Sequence, residues 1–469
     1  MATTVRAPAA YRSIWYMGAK SRVLPGFLDR VFEAELSDGD TVVDLMAGSG
    51  VVSAHCAGRY RVIANDVQAY SEVVTRALIE HSPADKEAFL TALSAGLDLT
   101  DVFARNFDAL ERRYGLDLAR EDEFLGEFRD GGGPSWEARY RAYLERFATI
   151  FPGEPVPTSA GLAPGATTIL SPREIDRRRR DPRVGPSCLA TTYYANVYYG
   201  LRQAFELDSL RAAIDAIEPS QPWAAKLRAH WLAALIGVAS VSTSGTSHFA
   251  QPRHLRKDSE LRAMAKRRTI DVKQLFAEQA AAIAETISAI DHRPGNRVLQ
   301  GDYRELLRAG GAFDFGDEVD DVDLVYLDPP YTADNYSRFY HALESIARYD
   351  YPELERGRDG AVLRGRYPLR SRRFRSDFCR AAAVEGEFRR VIEGCARIGA
   401  KLVISYSYPS GLLLKGYARS GVVDPVARFR ALCRERYRCV DVERRTLLHS
   451  GQGDSNVEID ELLLVCSRP

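Results

Sequence analysis

The sequence carries no excess of charge of either sign. Its 469 residues contain 64 lysine and arginine side chains and 64 aspartate and glutamate side chains, so the formal net charge is +0. This balance excludes a histone-like polycation and an acidic solvating tail. It leaves nucleic-acid binding open, because a local basic stretch is enough for that.

Long apolar runs are also missing. No segment approaches the roughly 18 consecutive apolar residues that a membrane-spanning helix needs. The N-terminal segment, MATTVRAPAAYRSIWYMGAK, lacks the apolar centre of a secretory signal. We therefore expect no membrane partner and a cytoplasmic location.

Cysteine and histidine show no metal-ligand spacing. The seven cysteines are scattered without a C-x-x-C pair, which argues against a zinc cluster or a disulfide framework and favours reduced thiols. The eight histidines are scattered as well. We predict no metal site.

What the sequence does contain is an α/β pattern in two separated pieces. Short apolar runs that end in turn residues predict strands, and helical segments beginning near Val51 and Gln68 follow the first two. A βαβ pattern of this kind predicts a parallel sheet with both faces covered. The predicted strands span 41–46, 61–66, 297–300, 322–327 and 401–406, and a hairpin is predicted from 438–448 and 457–466.

The middle of the chain has few strand-like runs and much helical periodicity. We therefore predict a split α/β domain, residues 1–82 and 291–469, interrupted by a mostly helical inserted region, residues 83–290. The fold class is a doubly wound, Rossmann-like sheet. The stretch 129–190 contains a Gly-Gly-Gly run, several prolines and four consecutive arginines, so part of it is predicted to be loop.

The first predicted strand ends in Asp44 and is followed by a glycine turn with Gly48 and Gly50. Glycines let the backbone approach a ligand closely, and the next helix offers free N–H groups at its start. Asp66 ends the second strand, where a carboxylate can accept both hydroxyls of a ribose. The pattern favours an adenosine-containing cofactor, although a tight turn followed by a surface acid would give the same residues.

A second motif, Asp328-Pro329-Pro330-Tyr331, follows an apolar strand directly. The two prolines stiffen the turn and remove two backbone donors. This leaves the Asp328 carboxylate and the Pro329 carbonyl as two acceptors that can hold both hydrogens of an exocyclic amino group. Tyr331 adds a flat face for stacking a base, which contributes about 1–3 kcal/mol per base.

With these motifs, the sequence resembles the Dam-like (D12) class of S-adenosylmethionine-dependent DNA adenine-N6 methyltransferases. The matching pieces cover both halves of the predicted α/β domain and occur in the family's order. They are Tyr16-Met17-Gly18-Ala19-Lys20, the segment from Asp44 to Gly50, Asn65-Asp66, Gly301-Asp302-Tyr303, the tetrapeptide from Asp328 to Tyr331, and Ile404-Ser405-Tyr406-Ser407.

The resemblance implies a role for each matching residue. Asp328, Pro329, Pro330 and Tyr331 would form the catalytic site around the target base. The residues implied at the cofactor, S-adenosylmethionine, are Tyr16, Gly18, Lys20, Asp44, Gly48, Gly50, Asp66, Asp302 and Tyr303. Lys20 would lie near the methionine carboxylate, Asp66 at the ribose, and Asp302 or Tyr303 at the adenine ring. The sequence departs from many relatives at Ala19, where glycine is common.

The implied reaction needs no metal and no covalent intermediate. Hydrogen bonds from an amino group to Asp328 and Pro329 would localise its lone pair and aim it at the methyl carbon. The target base must leave the duplex, which costs a few kcal/mol. Relatives that act on cytosine N4 usually carry Ser in place of the Asp, so Asp328 favours adenine.

Two basic stretches support contact with double-stranded DNA. Residues 253–268 hold seven basic and two acidic side chains, and residues 361–380 hold seven arginines and one aspartate. Arginine binds phosphate and reads guanine edges, although a solvated helix face would have a similar composition. The candidate DNA-binding residues are Arg253, Arg256, Lys257, Arg338, Arg370, Arg372 and Arg373.

Several alternatives stay open at the level of sequence. The enzyme could methylate cytosine N4 or RNA, or the chain could be an inactive DNA-binding subunit that keeps the fold. A nucleotide-dependent oxidoreductase would require G-x-G-x-x-G, which is absent. A restriction–modification system, another defence system and solitary epigenetic marking are not separable, and a cognate restriction or defence protein is a candidate partner. The oligomeric state is open.

Overall fold

A computed structural model provides the structure of the chain. It describes residues 20–95, 100–148, 172–218, 223–246, 248–290, 294–316, 321–450 and 456–467, together with Ile14 and Leu170. Two of the predicted cofactor residues, Tyr16 and Gly18, lie outside the described residues.

One seven-stranded sheet organises the fold. Its strands are β1 (Thr41–Asp44), β2 (Arg61–Asp66), β3 (Arg297–Gln300), β4 (Leu324–Leu327), β5 (Lys401–Tyr408), β6 (Cys439–Ser450) and β7 (Asn456–Ser467). The order is β3-β2-β1-β4-β5-β7-β6. The first five strands of this order are parallel, and β7 joins β5 and β6 antiparallel. The predicted strands and the C-terminal hairpin are therefore confirmed.

Burial explains why the central strands are so apolar. All four residues of β1 and all four of β4 are buried, as expected of parallel strands with both faces covered. β1 and β4 are neighbours although more than 250 residues separate them, and the chain winds outward in opposite directions from this pair. Such a switch point leaves a crevice beyond the carboxyl ends of the strands, where ligands bind.

Helices cover both faces of the sheet. Those outside the inserted region are α1 (Asp29–Glu35), α2 (Val51–Cys56), α3 (Ala69–Ile79), α13 (Tyr336–Phe339), α14 (His341–Arg348), α15 (Val384–Arg397), α16 (Leu412–Arg419) and α17 (Pro425–Arg434). Those of the inserted region are α4 (Pro83–Ser94), α5 (Thr100–Arg129), α6 (Trp136–Ala148), α7 (Pro172–Arg180), α8 (Leu189–Tyr193), α9 (Leu201–Asp215), α10 (Ala224–Ser242), α11 (Asp258–Arg268) and α12 (Val272–Ala289). Among the described residues between 83 and 290, no strand is present, which fits the predicted helical character.

The hydrophobic core does not divide at the ends of the inserted region. Trp231 of α10 and Tyr198 belong to the same buried cluster as Val42 of β1 and Val403 of β5. A smaller separate cluster joins the end of α5 to α6 and α11, with Trp136 at its centre. Most of the inserted helices therefore form one face of the α/β domain, and only the smaller cluster stands apart from it.

The four consecutive arginines 177–180 lie at the end of helix α7. Arg178 is buried there, with its guanidinium 5.5 Å from the centroid of the Tyr351 ring and a 3.2 Å hydrogen bond from Nη1 to the Tyr351 hydroxyl. An arginine stem and a stacked guanidinium can be buried in this way when a partner is present. At least this arginine supports the fold.

No helix in the described part of the chain combines the length and the apolar character required to cross a bilayer.

Candidate functional site

An open cavity of about 770 Å³, part of it open solvent, lies beyond the carboxyl ends of β1, β2, β3 and β4. This is the position that the switch point of the sheet predicts. Its lining includes the ends of all four strands and the segments that follow them: Leu45, Met46, Asn65, Asp66, Val67, Gln68, Gly301, Asp302, Tyr303, Asp328, Pro329, Pro330, Tyr331, Tyr336, Ser337, Phe374, Ser376 and Cys379.

The tetrapeptide Asp328-Pro329-Pro330-Tyr331 forms one wall of this cavity. It follows the buried strand β4 directly and is neither helix nor strand, and neither proline has a backbone N–H to donate. The carbonyl of Tyr331 accepts a 2.9 Å hydrogen bond from the Leu412 amide, which fixes the far end of the turn. All four predicted catalytic residues therefore lie together at the cavity.

Lys20 lies between two carboxylates rather than at the surface. Its ammonium is 2.8 Å from Oδ1 of Asp328 and 3.1 Å from Oε1 of Glu461, and only 4% of the lysine side chain is exposed. Burial alone would lower the pKa of Lys20, but Asp328 and Glu461 together raise it well above its ordinary value. The predicted contact between Lys20 and the methionine carboxylate of the cofactor stays a prediction.

Burial and the neighbouring charge of Lys20 shift the pKa of Asp328 in opposite directions. Burial, the largest influence, raises the pKa of Asp328 to about 6, with Lys20 lowering it and Glu461 adding to the rise. The ion pair with Lys20 favours the carboxylate form of Asp328. Lys20 contacts Oδ1, and no described residue donates a hydrogen bond to Oδ2. With respect to the described residues, the second oxygen is therefore available to a ligand in the cavity.

The glycine turn after β1 is shaped by its neighbours. The Gly48 amide donates a 2.8 Å hydrogen bond to Oδ2 of Asp66, and the Gln68 amide donates one of 2.8 Å to Oδ1. Gly50 has a φ of +72°, and a Cβ there would be 2.7 Å from Oγ1 of Thr75. Asp66 lines the cavity, whereas neither glycine is among the described lining residues.

Asp44 has a buried oxygen without a partner. Its Oδ2 accepts a 2.6 Å hydrogen bond from the Ser53 hydroxyl, but its Oδ1 has no hydrogen-bond partner among the described residues. Burial raises the pKa of Asp44 to about 7. An orphaned acceptor at this depth is costly unless a ligand supplies a donor, and the ammonium group of S-adenosylmethionine is a donor of the right kind. Asp44 ends β1 directly before Leu45 of the cavity lining, and its orphaned oxygen fits an amino group of the cofactor in charge and hydrogen-bonding character.

The motif after β3 contributes Asp302 and Tyr303. Asp302 accepts a 3.1 Å hydrogen bond from the Arg304 amide, and its carboxylate pairs with the Arg304 guanidinium at 2.5 Å. The Tyr303 hydroxyl donates to Glu387 in the core. Both residues line the cavity. Tyr303 also belongs to a buried hydrophobic cluster, whereas Asp302 does not.

Sequence reasoning missed several residues of this site. The Asn65 side-chain amide donates to the carbonyls of Leu45 and Gly301, both at 3.2 Å, and so ties together the turns after β1 and β3. Gln68 donates a 2.8 Å bond to the Ser337 hydroxyl. A polar residue at the end of strand β2 or just beyond it was a usable signal for both. Glu461 gave no such signal, because its alternating strand reads as an ordinary hairpin.

The two basic stretches meet in the structure. Nη2 of Arg364 donates a 2.9 Å hydrogen bond to the Arg253 carbonyl, and the Tyr367 hydroxyl donates to the Ala250 carbonyl. The guanidinium of Arg338, which follows the tetrapeptide, lies 4.6 Å from the centroid of the Tyr367 ring. Arg338, 253–268 and 361–380 therefore form one connected region beside the cavity.

The predicted DNA-binding side chains differ in their exposure and in their ion pairs with nearby acidic residues. Arg370 and Arg373 both pair with Glu355, and Arg372 lies 3.6 Å from Asp350. Arg253 pairs with Glu260 at 2.7 Å. Arg256 and Lys257 are exposed just before helix α11.

Across the described ranges, no group of three or more His, Cys, Asp or Glu side chains has a metal-binding arrangement.

Together, the sheet order and the cavity at its switch point define a Rossmann-like methyltransferase fold, as predicted. A family model described as D12 class N6 adenine-specific DNA methyltransferase matches residues 16–122 and 312–361. The matched ranges include the glycine turn, Asp66 and the tetrapeptide. The predicted resemblance to the D12 class is confirmed.

Curated relatives are consistent with that match. Modification methylase LlaI of Lactococcus lactis subsp. lactis is 24% identical over 340 residues, which are 72% of this chain and 39% of that protein. Modification methylase StsI of Streptococcus sanguinis is 20% identical over 340 residues, 72% of this chain and 37% of that protein. Type II methyltransferase M.FokI of Planomicrobium okeanokoites is 38% identical over 93 residues, 20% of this chain and 13% of that protein. The chain thus spans less than two fifths of the length of the curated relatives it matches.

Proposed function

We propose that this protein is a DNA methyltransferase that transfers a methyl group from S-adenosylmethionine to N6 of an adenine flipped out of duplex DNA. The observation that carries the proposal is the tetrapeptide Asp328-Pro329-Pro330-Tyr331 on the cavity wall, with Oδ2 of Asp328 free of any bond from a described residue. The D12 match and the names of the relatives, two modification methylases and a type II methyltransferase, support this reaction and a role in restriction–modification.

The cofactor proposal rests on three acidic residues: Asp66 and Asp302 line the cavity, and Asp44 ends strand β1 next to it in sequence. Asp66 would hold the ribose hydroxyls, the orphaned oxygen of Asp44 would accept from the amino group, and Asp302 would meet the adenine. When bound, S-adenosylmethionine supplies a sulfonium methyl group that is already activated for transfer. Tyr16, Gly18, Gly48 and Gly50 are proposed to complete its site.

The contribution of the protein side chains and backbone to the reaction is to orient the target amino group. Asp328 and the Pro329 carbonyl would accept the two hydrogens of the target amino group and thereby keep its lone pair out of the ring. Fixed acceptors of this kind are effective because they need no reorganisation during the reaction. Tyr331 would stack on the flipped base and offset part of the unstacking cost.

We further propose that residues 83–290, with the basic stretches 253–268 and 361–380, contact the DNA. Their contact with each other through Arg364 and Arg253 supports a continuous surface next to the cavity. Arginine and lysine on such a surface would neutralise phosphates, and a minority would read base edges.

A direct test uses purified protein, S-adenosylmethionine labelled in its methyl group, and plasmid DNA from cells that lack adenine methylation. We expect label in the DNA, recovered as N6-methyladenine after digestion, and none with Asp328→Ala. Asp441→Ala, which removes an exposed carboxylate of β6, is the control for the loss of one acid. Label in N4-methylcytosine or in RNA would favour the alternatives, and no label on any substrate would favour an inactive DNA-binding subunit.

A further inference from the structure

A carboxylate on the last strand belongs to the environment of the tetrapeptide. Glu461 of β7 lies opposite Ser407 of β5, and its side chain is 6% exposed. Its Oε1 is 3.1 Å from Nζ of Lys20 and also accepts a hydrogen bond from the Ser405 hydroxyl. A buried acid with two specific donors is held in one place.

Lys20 connects this acid to the tetrapeptide. Its ammonium is 2.8 Å from Oδ1 of Asp328, so the three side chains form a continuous chain from β7 to the cavity. A lysine has three rotatable donors on a flexible stem. With Asp328 alone as a partner, the ammonium could move between both oxygens. Glu461, fixed by Ser405, holds it on the side of Oδ1.

We propose that Glu461 is a positioning residue of the methyltransferase, acting through Lys20 to orient Asp328 and to keep its Oδ2 free for the target amino group. This inference rests on the proposed function. It assigns a task to a residue about 130 positions beyond the tetrapeptide, outside every motif of the sequence.

The charges around Asp328 make its titration a measurable test of this arrangement. The ionisable groups that act on it are Lys20 from the N-terminal segment, Glu461 from β7, Tyr326 from β4, Tyr331 from the tetrapeptide and Asp44 from β1. Lys20 favours the charged form of Asp328 and Glu461 disfavours it. Neutral replacements of the two must therefore move the titration of Asp328 in opposite directions.

The experiment is the pH dependence of single-turnover methyl transfer, with plasmid DNA lacking adenine methylation and saturating S-adenosylmethionine. Transfer requires charged Asp328, so the rate of the wild type falls on the acid side. We expect Glu461→Gln to move this acid limb to lower pH and Lys20→Met to move it to higher pH, each by on the order of one pH unit. Loss of orientation should also lower the plateau rate of Glu461→Gln by about tenfold.

Two further variants make the test specific. Asp460→Asn removes the neighbouring carboxylate of β7, which pairs with Arg444 and faces away from Glu461 because side chains alternate along a strand. Its acid limb should coincide with that of the wild type. Glu461→Asp keeps the charge but withdraws it by one methylene, and should shift the limb in the same direction as Glu461→Gln by a smaller amount. This variant also serves if Glu461→Gln does not fold, which thermal unfolding by circular dichroism would reveal.

The outcomes separate the two proposals. If the wild type transfers no methyl group, the proposed function fails. If the wild type is active and the acid limbs of Glu461→Gln and Glu461→Asp both coincide with its own, the function stands and the positioning role of Glu461 is overturned. Opposite shifts for Glu461→Gln and Lys20→Met support it.

Discussion

The amide of Gly48 donates a 2.8 Å hydrogen bond to Oδ2 of Asp66, so the turn after β1 is tied to the end of β2. The same carboxylate lines the cavity, where the ribose of the cofactor is proposed to bind. We expect Asp66→Ala to weaken the binding of S-adenosylmethionine by about 10- to 100-fold, because hydrogen bonds to a charged group contribute about 1.5–3 kcal/mol. Isothermal titration calorimetry measures this directly.

The control for Asp66 is Asp38→Ala, which removes an exposed carboxylate paired with Arg59. Its dissociation constant should equal that of the wild type. An unchanged dissociation constant in Asp66→Ala itself would remove this residue from the ribose site.

Gly50 should tolerate no side chain. Its φ is +72°, and an added Cβ would be 2.7 Å from Oγ1 and 3.2 Å from Cα of Thr75. We expect Gly50→Ala to lower the free energy of unfolding by about 1–3 kcal/mol, from backbone strain and from the shift that Thr75 must make. Urea unfolding followed by circular dichroism measures the change.

Gly416 provides the matched substitution. It lies inside helix α16, and a Cβ there would meet nothing within 4 Å. Gly416→Ala should therefore raise the free energy of unfolding by up to about 1 kcal/mol. Equal effects at the two glycines would contradict the local geometry described for Gly50.

Asp44 should make stability depend on pH. Its pKa in the folded protein is about 7, above the ordinary value of 3.8, because burial disfavours the charged form. The folded state therefore binds more protons than the unfolded state between these values, and the free energy of unfolding falls as pH rises from about 4 to 7. Asp44→Asn should remove this fall and be more stable than the wild type at pH 8 by up to about 4 kcal/mol.

The same substitution should weaken cofactor binding, because the introduced asparagine would offer only a neutral partner to the proposed ammonium group. Urea unfolding between pH 4 and pH 8, with Asp38→Asn as the exposed control, checks the stability effect. Parallel pH profiles for Asp44→Asn and the wild type would show that the pKa of Asp44 is the same in the folded and unfolded states, which would contradict this account.

Arg256 and Lys257 should contribute to DNA affinity without affecting the fold. Both are exposed before helix α11. We expect their double replacement by Ala to weaken duplex binding at low salt and to reduce the slope of log K against log salt concentration by about two, one for each lost phosphate contact. Fluorescence anisotropy at several salt concentrations measures the slope, with Arg436→Ala, an exposed arginine paired with Glu393, as the control. An unchanged slope would remove these two residues from the DNA surface.

Local patterns in the sequence predict much of this structure. The strands over Arg61–Asp66 and Arg297–Gln300 have the predicted bounds. The first ends in Asp66, a residue type that is rare inside strands, and the second is flanked by Gly295-Asn296 and Gly301. The position of Asp328 directly after β4 could likewise be predicted from the neighbouring residues alone. A carboxylate at a parallel strand end must lie at the same edge as its neighbours, so its proximity to Asp66 follows from the βαβ pattern.

Contacts between distant segments were beyond such reasoning. Lys20 meets Glu461 although about 440 residues separate them, and only the antiparallel addition of β7 next to β5 brings the acid to the cavity. Whether the buried face of α10 would pack on the α/β domain or form a separate lobe was likewise undetermined, because an apolar helix surface does not specify what covers it. The shared cluster of Trp231 and Val42 answers that question.

The central claim, methylation of adenine through Asp328, is tested most directly by long-read sequencing of plasmid DNA from cells that express the wild type or Asp328→Ala. The host should lack adenine methylation of its own. We expect N6-methyladenine at one short sequence motif in the wild-type sample and none in the variant sample. Methylation that persists with Asp328→Ala, or a wild-type mark confined to cytosine, would contradict the account.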